Sequence, residues 1–279
     1  MPSNTFRAAG VAALLSAAPA AAQVYVIAGP GPSLNTGSYS WATGEYLTDF
    51  RAALENPDYF GPSGVVTTDI ATLDLDTVNV VTLSKVDAFI SPFWFSADPA
   101  AVSAVQDFFL AGGDIILFND TVAVDSIADG LGLPTVPGPN GTQQMTGTGF
   151  PFDGPFGTPD QVTFFGLWGT LDGHAIQITN GTILGRASTG HPTVAYWPAG
   201  AFEPDAGQML IVTDIDSIAT AGVADYDALN FNAAFGLNII AHMAGANPGA
   251  CNPSDLNGDG LLDLTDINEF IQNFLAGCP

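Results

Sequence analysis

Short apolar runs and helical stripes alternate along the chain from residue 24 onward. The apolar runs predict strands over 24–29, 65–70, 87–94, 114–120 and 208–215. Apolar residues at helical spacing predict helices over 44–56, 98–111, 121–133 and 227–245. Strands that alternate with helices in this way are typical of α/β proteins built on a parallel sheet.

The clearest unit lies between residues 98 and 120. Asp98 is a good N-cap, Pro99 suits the first helical position, and Gly112-Gly113 ends the helix. The run DIILFND at 114–120 follows directly, and a continuous apolar run indicates a strand buried on both faces. The pattern therefore predicts an open, mostly parallel sheet with helices on both faces.

Residues 134–207 differ in character, because they are rich in Gly, Pro and Thr. The alternating stretches AIQIT (175–179) and TVAYW (193–197) favour strands here. We therefore predict a β-rich insertion whose hairpins extend the sheet. The stretch after 245, GANPGACNPS, has the composition of a linker, assigned to 246–250.

The first 22 residues have the features of a secretory signal peptide. Arg7 precedes a mostly apolar run, and Ala20-Ala21-Ala22 forms a small-residue cleavage site before Gln23. No later apolar run is long enough to cross a membrane. We expect a secreted protein, extracellular or at the cell surface, whose mature chain has no transmembrane segment.

The net charge limits the partners. The chain has 28 acidic and 4 basic residues, for a formal charge of -24. Nucleic acids bind through Lys and Arg, so a nucleic-acid partner is excluded. The excess carboxylates serve solubility or bind divalent cations, and the charge alone leaves both roles open.

Polar residues follow two predicted strands at the edge where open α/β sheets bind their ligands. With His174 or His191 they would form a metal or acid/base site. As the alternative, Asp120 caps a helix and the other aspartates shape a loop. The candidates are Asn119, Asp120, Asp214 and Asp216.

Two segments of the main domain resemble class I glutamine amidotransferase-like, flavodoxin-like domains. They are DAFISPFWFSADPAAVSAVQDFFLAGGDIILFND and the ending QMLIVTDIDS with LNFNAAFGLNIIAHMAG. The resemblance, over residues 23–245, implies their open sheet. Glutaminase activity does not carry over, because it needs a Cys nucleophile and the turn reads Phe118-Asn119-Asp120-Thr121. No G-x-S-x-G elbow replaces it, so the sequence favours a domain that is not an enzyme.

The stretch DLNGDGLLDLTD at 255–266 has the ligand spacing of an EF-hand-like calcium loop, with Gly260 at the sharp turn. Oxygen ligands of this kind suit Ca²⁺ better than zinc, whereas the alternative is an acidic turn without metal. The predicted ligands are Asp255, Asn257, Asp259, Leu261 through its carbonyl, Asp263 and Asp266.

Two cysteines flank this loop, Cys251 and Cys278. In an exported protein they favour a disulfide over two free thiols. Leu264, Ile267 and Phe274 share one face of a predicted helix after the loop.

A loop with only its exiting helix, and with Asp at the last ligand position, resembles a dockerin type I repeat. The whole unit is 251–279. The resemblance implies docking to a surface or to a cohesin-like partner.

These features predict an exported calcium-binding protein. Its dockerin-like module would anchor or sort a ligand-binding or structural α/β domain to the cell surface or an extracellular complex. The alternative is an extracellular hydrolase for polysaccharide breakdown, attached through the same module. That role needs paired carboxylates, and the sequence distinguishes no such pair.

Overall fold

The computed structural model describes residues 24–92, 98–119, 126–221 and 223–245. The strands are β1 Val24–Pro30, β2 Asp69–Leu75, β3 Ala88–Ser91, β4 Asp114–Phe118, β5 Thr135–Gly147, β6 Val162–Leu171, β7 Thr182–Ala187, β8 Pro192–Trp197 and β9 Met209–Val212. The helices are α1 Thr48–Leu54, α2 Val80–Leu83, α3 Pro99–Leu110, α4 Ser126–Gly130, α5 Gly173–Ile178 and α6 Phe231–Met243, and a 3₁₀ helix covers Ile215–Ser217.

The described strands form one mixed sheet in the order β2-β1-β3-β4-β9-β8-β7-β5-β6. From β2 to β9 neighbouring strands are parallel, and from β9 to β6 they are antiparallel. The predicted α/β fold is confirmed. The insertion forms β5 to β8, which add four strands to the other five described strands of the sheet.

Each face of the sheet carries its own apolar core. On one face, Ile116 and Leu210 pack with residues of α1 and α6, such as Phe50. On the other, Ile115 and Leu117 pack with residues of α2, α3, α4 and α5. Successive side chains of a strand point to opposite faces, so the parallel strands bury both.

Helix α6 joins the two halves of the sheet through two buried asparagines. Asn232 donates to the carbonyls of Thr163 and Ser217, at 2.7 and 2.9 Å. Asn238 donates to the Pro151 carbonyl at 3.1 Å and accepts from the backbone N–H of Phe156 at 3.0 Å. These bonds fix the insertion to the last helix of the domain.

Two predicted strands are wrong. The strand predicted at 65–70 lies at 69–75 instead, because β2 is an edge strand whose polar residues mask the pattern. Residues 175–178 lie in helix α5 and Thr179 is its C-cap; the Asp172 carboxylate caps the first turn by accepting from the N–H groups of His174 and Ala175. This cap outweighs the short alternating pattern.

Three predicted helices are shorter than expected. The helix predicted over 121–133 is α4, which ends at Gly130; residues 121–125 lie outside the described part. Residues 44–47 form turns, so α1 starts at Thr48. Leu229 has φ of +47° and stands outside α6, which begins after the Asn230 cap.

The signal peptide, Asp120, the linker, both cysteines and the calcium loop lie outside the described residues. Within the described ranges, no helix is long and apolar enough to cross a membrane.

Candidate functional site

Asp214 and Asp216 hold a loop in shape at the end of β9. The Asp214 carboxylate accepts from the N–H of Asp216 at 2.7 Å and caps the 3₁₀ helix. Asp216 accepts from the Tyr39 hydroxyl at 2.5 Å. Burial raises the pKa of Asp216, and the bond from Tyr39 opposes that rise. The structure therefore places this pair in the loop-shaping role.

The histidines do not converge with these aspartates. His174 is exposed at the start of α5, and Nδ1 of His191 lies 2.9 Å from the Thr189 hydroxyl in a hairpin turn. His242 stacks on Phe150, with 3.5 Å between ring centroids. In the part of the chain that the structure describes, no three His, Cys, Asp or Glu side chains come together as a metal site.

The polar edge row is a set of four buried polar side chains, three at the carboxyl ends of the parallel strands β3, β4 and β9 and one at the start of the antiparallel strand β8. All are at most 3% exposed. The row is Ser91, Asn119, Thr193 and Thr213.

Asn119, Thr213 and Thr193 lie side by side on neighbouring strands, whereas Ser91 lies beside Leu117, two residues before Asn119. The Asn119 N–H donates to the Val212 carbonyl at 2.8 Å, and the Thr213 N–H donates to the Thr193 carbonyl at 2.9 Å. The ladder thus continues one residue past β4 and β9. Side chains two residues apart on a strand point to the same face. Asn119 follows Leu117 and Thr213 follows Ile211 at this spacing, and the same rule holds for Ser91 and Thr193. All four side chains therefore lie on the face covered by α2 to α5.

The row leaves hydrogen-bonding atoms without partners. Among the described residues, no partner exists for the hydroxyls of Ser91, Thr193 and Thr213 or for Oδ1 of Asn119. Each such buried atom costs about 1–3 kcal/mol of stability, so native proteins rarely retain one without a reason. These atoms lie at the edge where open α/β sheets place their ligands, so the row is the candidate functional site.

The start of β5 and the end of β6 border the row. The Asn119 amide nitrogen lies 3.5 Å from the Thr135 hydroxyl oxygen. The Thr170 hydroxyl, 1% exposed, donates to the Pro192 carbonyl. Thr170 is therefore as buried as Thr193 but has a partner.

Only Asn119 of this row was a candidate from the sequence. The sequence does not indicate Ser91, Thr193 and Thr213 as site residues, because their alignment depends on strand pairing between distant segments. One sequence feature could have indicated three of these positions: a polar residue ends or follows an apolar run, as in AFIS, ILFN and IVT.

The opposite edge of the sheet carries a cavity of about 750 Å³. Its polar wall centres on Asp114, which accepts from the Tyr25 hydroxyl at 2.7 Å and from the Gln208 backbone N–H at 2.8 Å. The Gln208 side chain donates to Asp114 at 3.2 Å and accepts from the Tyr196 hydroxyl at 2.6 Å. These groups pair with one another.

Burial is the largest cause of the pKa shifts of Asp114, Tyr25 and Tyr196. It raises the pKa of Asp114, against the bonds from Tyr25 and Gln208. Burial, with the charge of Asp114, raises the pKa of Tyr25 strongly and that of Tyr196 to about 12. Both tyrosines therefore stay protonated and act as donors.

Known proteins resemble this chain in fold and not in sequence. No protein-family model matches it, and no curated protein matches it. The N-terminal domain of mmIFT52 superposes with a TM-score of 0.52 and 9% identity over 79% of this chain and 97% of that domain. This likeness shows the fold alone.

Two other solved structures match with lower TM-scores. A Thermoplasma acidophilum protein named for a GMP synthase subunit gives 0.46 at 12% identity, over 79% of this chain and 92% of that one. A β-galactosidase from Rahnella sp. R3 gives 0.49 at 12% identity, over 80% of this chain and 31% of that one.

Proposed function

We propose that the protein is an exported binding protein, in which residues 24–245 bind a ligand and a C-terminal calcium module attaches them to a cell surface or an extracellular complex. The observation that carries the binding role is the polar edge row. It combines buried polar atoms with the edge at which open α/β sheets take their ligands.

The chemistry of the row favours binding over catalysis. Its members are one amide and three hydroxyls, and no cysteine occurs between residues 24 and 245. The nearby carboxylates of Asp214 and Asp216 shape the loop after β9. In this proposal the body is a non-catalytic relative of the glutamine amidotransferase-like domains.

The attachment role rests on the sequence that follows α6. The Gly245 N–H donates to the His242 carbonyl at 2.9 Å, and Gly245 has φ of +76°, a left-handed helix ending. Helix α6 therefore ends where the sequence predicts that the linker begins. The calcium loop spacing and the flanking cysteines then supply a separate module, in which the disulfide contributes roughly 3–4 kcal/mol.

Calcium binding is tested with two matched variants of the full secreted chain. Asp259→Asn removes a predicted ligand charge, whereas Glu269→Gln removes a carboxylate outside the ligand positions. In calorimetric titration we expect Asp259→Asn to weaken Ca²⁺ binding at least about tenfold and Glu269→Gln to leave it unchanged. Equal affinity in both variants and the wild type would remove the calcium loop from the proposal.

A second measurement tests the module as a separate unit. We expect EDTA or a reductant to unfold 251–279 and to leave the α/β body folded, in circular dichroism and calorimetry. Deletion of 250–279 should release the protein from the surface of the producing cells. Unchanged retention after that deletion would refute the anchoring role.

A further inference from the structure

The cavity at the amino edge has an apolar wall in addition to its polar one. Helices α2 and α3 form this wall, and its large side chains are Val80, Leu83 and Phe108. Val80 is exposed and Phe108 is half-buried. The wall therefore presents apolar surface that the described residues leave uncovered, and burial of such surface is favourable.

The last described residues of the chain lie at this cavity. Met243, Ala244 and Gly245 line it, so residues 246–279 start from its wall. An extended chain covers about 3.3 Å per residue, so the calcium loop begins at Asp255 within about 33 Å of Gly245. A tether this short holds the module at an effective concentration in the millimolar range, so even a weak contact with the cavity is populated.

The calcium module has an apolar surface of its own. A unit of about 30 residues buries too little apolar area to cover its own side chains well. A calcium ion and a disulfide fix the chain of such a unit, but neither covers the apolar face of its predicted helix. That face consists of Leu264, Ile267, Phe270, Ile271 and Phe274.

From these two uncovered surfaces we infer that the calcium-loaded module docks on its own α/β body. The apolar face of the predicted helix over 264–274 packs in the amino-edge cavity against Val80, Leu83 and Phe108. The inference rests on the calcium module of the proposed function, and it gives that module a binding surface within the same chain.

Charge determines which side of the predicted helix faces the cavity. Asp87 and Asp107 are exposed residues of the cavity lining. The acidic residues of the predicted helix, Asp266 and Glu269, lie outside its apolar face. The docked face therefore brings no carboxylate into the cavity, and the acidic calcium loop stays outside it.

Docking couples the cavity to calcium. The module docks only with calcium bound, because its helix needs the folded calcium loop. Calcium then slows the opening of the covered wall, and docking in turn tightens calcium binding by a matching factor. One docking equilibrium constant therefore sets the size of two separate measurements.

Val80 and Val81 provide a matched pair of variants. They are adjacent valines of α2, 72% and 63% exposed, and of the two Val80 lines the cavity. Aspartate is favourable in the first turn of a helix, so we expect either replacement to leave the body folded. Val80→Asp places a carboxylate against the docked apolar face, whereas Val81→Asp adds the same charge outside the cavity.

The experiment measures hydrogen exchange of residues 104–113 and calorimetric Ca²⁺ affinity in the full secreted chain. In the wild type we expect Ca²⁺ to slow this exchange about tenfold relative to EDTA. Val80→Asp should remove that protection and weaken Ca²⁺ binding about tenfold, because both effects come from docking. Val81→Asp should keep both values of the wild type.

The opposing results are distinguishable. Exchange of 104–113 that does not respond to Ca²⁺ overturns docking and leaves the calcium loop to its own test with Asp259→Asn. Equal values for Val80→Asp and Val81→Asp reject the cavity as the docking surface. Protection that rises with protein concentration, together with a dimer in sedimentation, assigns the cavity to the module of a second copy and rejects docking within one chain. If the wild type binds no Ca²⁺, the calcium module and the inference fall together.

Discussion

The two edges of the parallel sheet bury polar side chains in opposite ways. At the amino edge, Asp114, Tyr25 and Gln208 pair with one another. At the carboxyl edge, the hydroxyls of Ser91 and Thr213 have no hydrogen-bond partner among the described residues. Tyr25 is buried and Asp114 and Gln208 are half-buried, whereas Ser91 and Thr213 are at most 3% exposed.

We interpret this difference in hydrogen bonding as a difference between a structural role and a binding role. A group of side chains that pair with one another stabilises the fold and offers little to a ligand. A row with open hydrogen-bonding capacity lowers stability and gains from a bound molecule. We therefore assign a structural role to the residues around the cavity at the amino edge, and we take the polar edge row as the candidate site.

The largest expected effect is at the amino edge. Asp114→Ala removes the acceptor of the Tyr25 hydroxyl and of two N–H groups of Gln208. We expect a loss of about 3 kcal/mol in the free energy of unfolding, measured with urea. Asp107→Ala is the control, because that exposed carboxylate lines the same cavity. A change below about 0.5 kcal/mol for Asp114→Ala would show that the amino edge is not held by this group.

Much of this fold was predictable from local sequence. The βαβ unit around α3 carries its cap, its Pro and its Gly-Gly ending in consecutive residues, so its boundaries at Pro99 and Leu110 match the prediction. The β-rich insertion was predicted in kind, but AIQIT was assigned to a strand, because five residues do not distinguish the two periodicities.

The candidate site was less accessible from sequence than the fold. Asn119 was a candidate because it follows a strong strand, whereas Thr193 depends on an antiparallel strand from the insertion. Asp214 and Asp216 were candidates by residue type, and their hydrogen bonds assign them to a loop. Contacts between distant segments decide such roles, and one sequence does not display them.

Two buried serines test the same comparison between paired and unpaired polar groups, with a smaller expected change in the free energy of unfolding. Ser91 is 1% exposed and lacks a partner among the described residues, whereas Ser217 is 0% exposed and donates to the Asp214 carbonyl at 2.7 Å. We expect Ser91→Ala to leave stability unchanged or raise it by up to about 1 kcal/mol, and Ser217→Ala to lower it by about 1 kcal/mol. Equal losses in urea unfolding would mean that Ser91 has a structural partner and does not belong to an open row.

The smallest expected effect is a difference in pH dependence between the edges. Burial raises the pKa of Asp114 above 3.8, so the folded protein keeps this proton at a pH where the unfolded chain has lost it. The stability from that proton is complete below pH 3.8 and is lost as pH rises through the folded pKa. Asp114→Asn does not titrate. The stability advantage of the wild type over Asp114→Asn should therefore shrink as pH rises, in urea unfolding from about pH 4 to 7.

The carboxyl edge supplies the control for this measurement. Ser91 does not titrate, so the difference between Ser91→Ala and the wild type should stay constant over the same range. Other carboxylates, including Asp216 with its raised pKa, are present in every variant and cancel in each difference. If the advantage over Asp114→Asn instead grew with pH, the bonds from Tyr25 and Gln208 would outweigh burial. The folded pKa of Asp114 would then lie below 3.8, and the amino edge would hold a stabilised carboxylate anion.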